Sequence, residues 1–195
     1  MCGRYYVDDD TAREIEKIVK ELDRKNREHL SGDIHPSEIS TVLTGRQTAL
    51  SAELMRWGFP QYQRKGLLIN ARAETVLEKK GFRDSVLHRR CIIPAKNFYE
   101  WDAEKTKVAF SRFDSPILYM AGFYNCFQNE DRYIILTTAA NASVEKVHDR
   151  MPLLLEREEL EPWIYDDRFL DFALHRVPPR LERYCEYEQQ RLELQ

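Results

Sequence analysis

The sequence has few of the residues that build metal centres or disulfide frameworks. Its four cysteines, at positions 2, 91, 126 and 185, are far apart and form no Cys-x-x-Cys pair, and its five histidines show no ligand spacing. Neither a zinc site nor a disulfide scaffold is therefore predicted. We expect a protein that uses no metal and no other cofactor.

Long apolar runs are also missing. The first ten residues include three consecutive aspartates and no apolar stretch, so no signal peptide is predicted. No apolar stretch approaches the roughly 20 residues that cross a bilayer. With 195 residues, 43% of them hydrophobic and 32% charged, the chain has a globular composition. We expect one domain over residues 1–195, in the cytoplasm and without a membrane partner.

An excess of positive charge is missing as well, since the formal net charge is −3. A protein that coats nucleic acid nonspecifically is therefore not indicated. The charge is segregated, however: residues 55–100 hold ten Lys or Arg against four acids, and residues 156–195 hold six Arg against eleven acids. A basic middle segment favours a polyanion site confined to one face, although an uneven solvated surface gives the same count.

The first notable feature that the sequence does contain is the cysteine at position 2. Removal of Met1, which is usual when the next side chain is small, makes Cys2 the first residue, with an α-amine of reference pKa about 8 and a thiol of about 8.5 on adjacent carbons. The amine of such a residue can form a Schiff base with an aldehyde, and the thiol can then close a thiazolidine ring. Alternatively, the amine can act as the base for its own thiol, as in hydrolases with an N-terminal nucleophile.

The strand and helix signals predict an α+β domain. Tyr5-Tyr6-Val7 is typical of a short strand, a helix follows with Thr11 and Glu14 as its capping box, and residues 31–38 are predicted as a turn-rich loop. Further strands are predicted at 39–43, 48–55, 67–69, 89–95, 98–101, 107–113, 117–123, 133–138, 153–155 and 181–187. Short helices are predicted at 76–77, 82–87, 143–147, 158–164 and 167–174. This pattern indicates a curled, mostly antiparallel sheet, an open barrel with peripheral helices.

Three side chains leave two interpretations open on the sequence alone. Trp57 stands beside Gly58 and Pro60, so it either offers a face on which a base stacks or packs in the core. Glu100 lies between large aromatic residues, so it is either a buried carboxyl group with a raised pKa or the water-facing residue of an alternating strand. His148, at a predicted helix end, is either a catalyst or a structural histidine.

Six short motifs occur within residues 1–152. They are Met1-Cys2-Gly3-Arg4, Trp57-Gly58, Asn70-Ala71-Arg72-Ala73-Glu74-Thr75, Arg90-Cys91-Ile92-Ile93-Pro94, Phe98-Tyr99-Glu100-Trp101 and His148-Asp149-Arg150-Met151-Pro152. In this order and spacing they resemble the motif set of the SRAP (SOS response-associated peptidase) family. The resemblance implies a single α+β domain that senses abasic sites in single-stranded DNA and captures them as a thiazolidine cross-link through the N-terminal cysteine.

The resemblance also implies roles for individual residues. The catalytic residues would be Cys2, Asn70, Glu100 and His148. The DNA contacts would be Arg4, Arg72 and Arg150, to which we add Trp57 and Pro36. We expect His148 to handle the proton on the sugar side, Glu100 the proton on the amine side, and Asn70 to orient Cys2. The expected partner is single-stranded DNA with abasic sites, bound by a monomer that is nucleoid-associated when on DNA.

Two other functions use the same residues. In a thiol peptidase or amidohydrolase, Cys2 and His148 form a nucleophile and base, with Asn70 in an orienting role; removal of Met1 by the protein itself is a minor version of this activity. In a noncovalent single-strand DNA-binding protein, the basic middle segment and Trp57 hold the strand. Formation of a stable adduct with an aldehyde-bearing oligonucleotide distinguishes thiazolidine capture of abasic sites from both of these alternative functions.

Overall fold

The computed structural model of the protein describes residues 2–46, 49–61 and 64–185. In these ranges the strands are β1 (Tyr5–Val7), β2 (Gly32–Ile34), β3 (Ile39–Thr44), β4 (Ser51–Trp57), β5 (Phe59–Pro60), β6 (Leu67–Leu68), β7 (Asn70–Arg72), β8 (Arg90–Ala95), β9 (Asn97–Trp101), β10 (Lys107–Ser111), β11 (Leu118–Phe127), β12 (Glu130–Ala139), β13 (Arg150–Pro152), β14 (Leu154–Leu155) and β15 (Glu182–Tyr184). The helices are α1 (Asp9–Glu16), α2 (Arg24–Glu28), α3 (Lys80–His88), α4 (Leu160–Tyr165) and α5 (Asp167–His175), with 3-10 turns at Ala73–Thr75 and Arg157–Glu159.

The larger sheet closes on itself. Strands β4, β3, β8, β11 and β12 pair in that order, and β12 pairs back to β4, which completes a ring of five. The predicted α+β class and the mostly antiparallel, curled sheet are confirmed, and the ring is more complete than the open barrel we predicted. Closure is possible because β12, at ten residues, is long enough to pair with β11 on one edge and with β4 and β7 on the other.

A second, five-stranded sheet positions the N-terminal segment. Its order is β15-β10-β9-β1-β2, and every neighbour pair is antiparallel. The predicted strand at Tyr5-Tyr6-Val7 is confirmed as β1. Because β1 lies between β9 and β2, the chain that precedes it runs alongside β9 rather than projecting into solvent.

The first helix begins earlier than the sequence suggested. Asp8 is its N-cap: the Asp8 carboxylate accepts the Thr11 amide, and the Thr11 hydroxyl accepts the Asp8 amide in return. The predicted capping box of Thr11 with Glu14 is therefore wrong by three residues, because an aspartate side chain caps as well as a threonine does. Ile15 of this helix and Val19, which follows the helix, are buried in the core.

Local patterns misled in three other places. The predicted loop 31–38 contains β2, which is a strand because it pairs with β1. The predicted helix 143–147 is a run of turns, at the start of which the Asn141 carboxamide accepts the amide and hydroxyl of Ser143. The predicted buried strand 67–69 is the short β6, in which Leu68 is exposed.

Two of the predicted strands lie partly outside the described residues. Thr48, at the start of predicted strand 48–55, lies outside the described residues, as do residues 186 and 187 of predicted strand 181–187. The remainders of those strands correspond to β4 and β15. Among the described helices, none combines the length and the apolar character needed to cross a membrane.

Candidate functional site

The segment Cys2–Arg4 is fixed against β9 by its backbone. The register that pairs Tyr5 with Phe98 continues as the Tyr99 amide donates to the Arg4 carbonyl at 3.0 Å. The Cys2 thiol donates to the same Arg4 carbonyl at 3.8 Å. Cys2 is fully buried as a result, and its side chain is held inside the fold. Met1 lies outside the described residues.

Asn70 contacts Cys2 directly. It lies on β7, which runs parallel to β12 with Asn70 opposite Ile135. The Asn70 amide nitrogen donates to the Cys2 carbonyl at 2.9 Å. Among the described residues, the Asn70 carboxamide oxygen has no hydrogen-bond partner. Asn70 is thus in direct contact with Cys2 and has one acceptor to spare.

Glu100 turns inward from β9. It is 3% exposed, whereas the next residue, Trp101, is 40% exposed, so the water-facing alternative for Glu100 is wrong. Burial raises the pKa of the Glu100 carboxyl group above its usual range, and a positive charge on His148, when that ring is protonated, opposes the rise. Burial first, and the negative charge of Glu100 second, raise the pKa of the Cys2 thiol well above its ordinary value. Cys2, Glu100 and His148 are therefore electrostatically coupled.

His148 follows the turn at 142–147, and its ring orientation is set by the main chain. The Arg150 amide donates to the Nδ1 atom of His148 at 2.9 Å. The Asp149 carboxylate also lies 3.0 Å from Nδ1 and would favour a proton there. We assign the acceptor role to Nδ1 because an amide can only donate, whereas the Asp149 side chain is 82% exposed and screened by water. This assignment leaves the ring proton on Nε2.

Two of the three arginines predicted to contact DNA already have protein partners. The Arg4 guanidinium pairs with Asp33 and lies over the Tyr99 ring, 5.5 Å from its centroid. Arg150 binds Glu74 with two hydrogen bonds of 2.7 and 2.8 Å and also donates to the Thr137 carbonyl at 2.6 Å. The Arg150 guanidinium lowers the pKa of the Glu74 carboxyl group.

Arg72 differs from both. It is exposed on β7, two residues after Asn70, so the two side chains share a face of the strand. Within the described ranges, Arg72 takes part in no ion pair. Of the three predicted DNA-contacting arginines, Arg72 is therefore the one whose charge is not offset by a carboxylate of any described residue.

Trp57 does not offer a stacking surface. It is fully buried, its indole nitrogen donates to the Ile69 carbonyl at 3.0 Å, and its ring stacks on Tyr133 with 7° between the planes. The prediction that a base stacks on Trp57 is thus corrected: the tryptophan belongs to the core, which was the other interpretation of its sequence context. Pro36 is half-buried in the turn that follows β2, where Ser37 has a φ of 76°.

Glu74 belongs to the candidate site, but the sequence analysis gave it no role of its own and named it only as part of a motif. It occupies the 3-10 turn after β7 and ties that segment to β13 through Arg150. One signal was available, since Glu74 is one of only four acids in the basic segment 55–100. In the described part of the chain, no group of three or more His, Cys, Asp and Glu residues is arranged to hold a metal ion.

Comparison with known proteins identifies the family of the chain. The family model for SOS response associated peptidase (SRAP) matches residues 1–184. The chain belongs to the SRAP family. All of the residues just described, from Cys2 to Arg150, fall within the matched range.

Curated SRAP relatives share a naming theme. The chain is 33% identical over 180 residues to the abasic site processing protein YoqW of Bacillus subtilis, with 84% of this chain and 80% of that protein covered. It is 28% identical over 183 residues to the abasic site processing protein YedK of Escherichia coli, with 84% and 79% covered. A crystal structure of a protein from Bordetella bronchiseptica has the same fold, with a TM-score of 0.76, 23% identity, and 94% of this chain and 99% of that chain covered.

Proposed function

We propose that this SRAP protein processes abasic sites in single-stranded DNA by forming a thiazolidine cross-link through Cys2 after Met1 has been removed. The observation that carries the proposal is the surroundings of the buried Cys2: Asn70 donates to its carbonyl, and Glu100 acts electrostatically on its thiol. His148 in turn acts on Glu100. Relatives that are named abasic site processing proteins support the choice of substrate.

The proposed chemistry needs no redox partner. The ring-opened abasic sugar presents an aldehyde, and the Cys2 α-amine adds to its carbon to give a carbinolamine. Loss of one water gives the Schiff base. The thiol sulfur then bonds to the imine carbon, and the thiol proton passes to the nitrogen. The balance is aldehyde plus aminothiol to thiazolidine plus one water, so no cofactor is required.

The surroundings of Cys2 favour the amine as the first nucleophile. The raised pKa of the buried thiol disfavours a thiolate, whereas the thiol needs only to be present when the imine has formed. The Glu100 carboxyl group, with its raised pKa, is suited to accept the amine proton and return it to the departing water. In this mechanism the Nε2–H of His148 donates to the sugar oxygen as the ring opens, and Asn70 holds the Cys2 backbone.

The same surroundings weaken the alternatives. A thiol peptidase built on Cys2 and His148 needs an activated thiolate, and burial acts against that form. A noncovalent strand binder loses its stacking platform because Trp57 is buried. In our proposal Arg72 contacts a phosphate directly, Arg4 and Arg150 contribute from their ion pairs, and Pro36 lies on the DNA side. One chain supplies all these groups, so in our proposal the protein acts as a monomer. We also propose that it acts in the cytoplasm, at the nucleoid.

The deciding experiment blocks the amine and spares the thiol. Untagged protein and a form with a permanent N-terminal tag are each incubated with an abasic single-stranded oligonucleotide and separated on a denaturing gel, with intact mass confirming Met1 removal. We expect a stable adduct with the untagged form alone. Cys2→Ala, which keeps the amine, should give an adduct only when borohydride reduces the Schiff base. Equal stable cross-linking by tagged and untagged protein would contradict the proposal.

A further inference from the structure

A pocket of about 400 Å³ opens beside the Cys2 site, between β7 and the start of α3. Asn70 forms part of its wall, and the same side chain donates to the Cys2 carbonyl. The volume lies within the roughly 300–1,000 Å³ that is usual for small-molecule sites. The pocket therefore adjoins the Cys2 site through one shared residue.

The inner walls of the pocket are apolar. Val76 is buried at its base, and Phe82 is held in place by ring contacts with Phe59 and Phe123 at 6.4 and 5.5 Å. Leu68 is 38% exposed at the mouth, in a protein that buries most of its large apolar side chains. These walls suit a flat, weakly polar group such as a nucleobase.

The rim of the pocket is cationic. Arg72 and Lys79 both line it, and neither takes part in an ion pair with any described residue, in contrast with Arg4 and Arg150. Lys79 is also the N-cap of α3 and makes no side-chain capping bond, so the first amides of that helix add to the positive potential at the rim. Apolar walls under a cationic rim match a nucleotide, with its base inside and its phosphate at the edge.

We propose that this pocket holds the nucleobase next to the abasic site, with Arg72 and Lys79 contacting the phosphate beside it. The inference rests on the proposed function, because the occupant is the nucleotide joined to the one that reacts with Cys2. The two nucleotides are linked through one phosphate, so the neighbouring nucleotide must lie next to the one that is bonded to Cys2. The pocket is close enough to hold it, because Asn70 both lines the pocket and contacts Cys2.

Binding to unreactive DNA tests the pocket separately from the chemistry. The abasic site is replaced by a tetrahydrofuran residue, which has no aldehyde, and the 5′ neighbour, the 3′ neighbour or both are also made base-free. We expect loss of the base on one side to raise the Kd by roughly 5- to 150-fold, the usual size of a base-stacking contribution. Equal affinity for the oligonucleotide that has both flanking bases and for the one that lacks both would overturn the proposal.

Variants identify the pocket as the place where the base binds. Leu68→Ser should raise the Kd for the oligonucleotide with a flanking base and leave the Kd for the base-free one unchanged, whereas Val177→Ser, at an exposed apolar residue outside the pocket, should alter neither. An equal effect of Leu68→Ser on both oligonucleotides would contradict base binding. Cross-linking of the parent protein is measured in parallel, so loss of the adduct with retained base dependence refutes the thiazolidine chemistry and leaves the pocket supported.

Discussion

The Glu100 carboxyl group makes the stability of the protein depend on pH. Burial raises its pKa in the folded state above the value of about 4.3 found in unfolded chains, so the folded state retains a proton that the unfolded state loses. Its favourable contribution is complete below that unfolded value and is lost as the pH rises through the folded-state pKa. The buried Glu100 carboxyl group therefore lowers the stability of the folded state near neutral pH.

We predict that Glu100→Gln makes unfolding free energy less dependent on pH and stabilises the protein near neutrality, because a neutral amide replaces a carboxyl group that must ionise in a buried site. Urea unfolding over a series of pH values measures this, with the exposed Glu78→Gln as a charge-matched control. The same Glu100 substitution should slow cross-linking by about 10²–10⁴-fold. A pH profile of stability identical to that of the parent would show that the carboxyl group is not perturbed by burial.

At this scale the sequence identified residue types better than their surroundings. Cys2, Asn70, Glu100 and His148 stand in separate motifs, and the structure links them in pairs: Asn70 with Cys2, Cys2 with Glu100, and Glu100 with His148. Periodicity favoured a water-facing Glu100, because a strand pattern does not reveal which of its faces another segment covers. Trp57 was ambiguous for the same reason: its neighbours Tyr5 and Tyr133 are distant in sequence.

Among the elements, the ion pair of Glu74 with Arg150 joins the two segments that carry polar site residues. Glu74 follows β7, which bears Asn70, and Arg150 begins β13 two residues after His148. Because the Arg150 amide also orients the His148 ring, any shift of Arg150 moves the imidazole. The pair therefore fixes the distance between the Asn70 and His148 sides of the site.

We predict that Glu74→Gln slows the cross-linking step by up to about 10²-fold, the cost of a small misplacement of reacting groups, without weakening DNA binding. Removing one negative charge near the phosphates should, if anything, favour DNA. Single-turnover cross-linking at saturating DNA and the Kd for tetrahydrofuran DNA are measured separately, with Glu78→Gln as the control. A rise in Kd with an unchanged rate would assign Glu74 to DNA binding instead.

Elements were predicted well where the signal was local. The alternating and apolar runs located β3, β8, β9, β10, β11 and β12 to within a few residues. The strand β2 was missed because its Gly-Asp sequence is typical of a turn and it becomes a strand only by pairing with β1. The helix α2 was missed because its five residues are all polar, so no apolar stripe marks it.

For the molecule as a whole, closure of the five-stranded ring leaves no room at Gly122. This residue lies in β11 between β8 and β12, and a Cβ atom there would stand 2.6 Å from the Ile134 carbonyl oxygen of β12. Backbone on a closed ring cannot move aside without disturbing the next strand. Closure itself was not predictable from local pattern, since it depends on β12 pairing with β4, some 75 residues earlier in the chain.

We predict that Gly122→Ala destabilises the protein by about 1–3 kcal/mol, the usual cost of overpacking a core. The matched control is Gly81→Ala in α3, where a Cβ atom would meet nothing within 4 Å and alanine should stabilise the helix by about 0.5–1 kcal/mol. Urea midpoints of the two variants should therefore move in opposite directions. A Gly122→Ala midpoint at or above that of the parent would mean that the ring can widen.

The position of β1 has a mechanical consequence. A DNA strand joined to Cys2 would be tethered three residues from a strand that is hydrogen-bonded on one edge to β9 and on the other to β2. A motor enzyme that pulled on that DNA would load the middle of a sheet instead of a surface loop. The tether would hold until the sheet itself was torn open, so the protein would resist extraction by force for as long as it stayed folded.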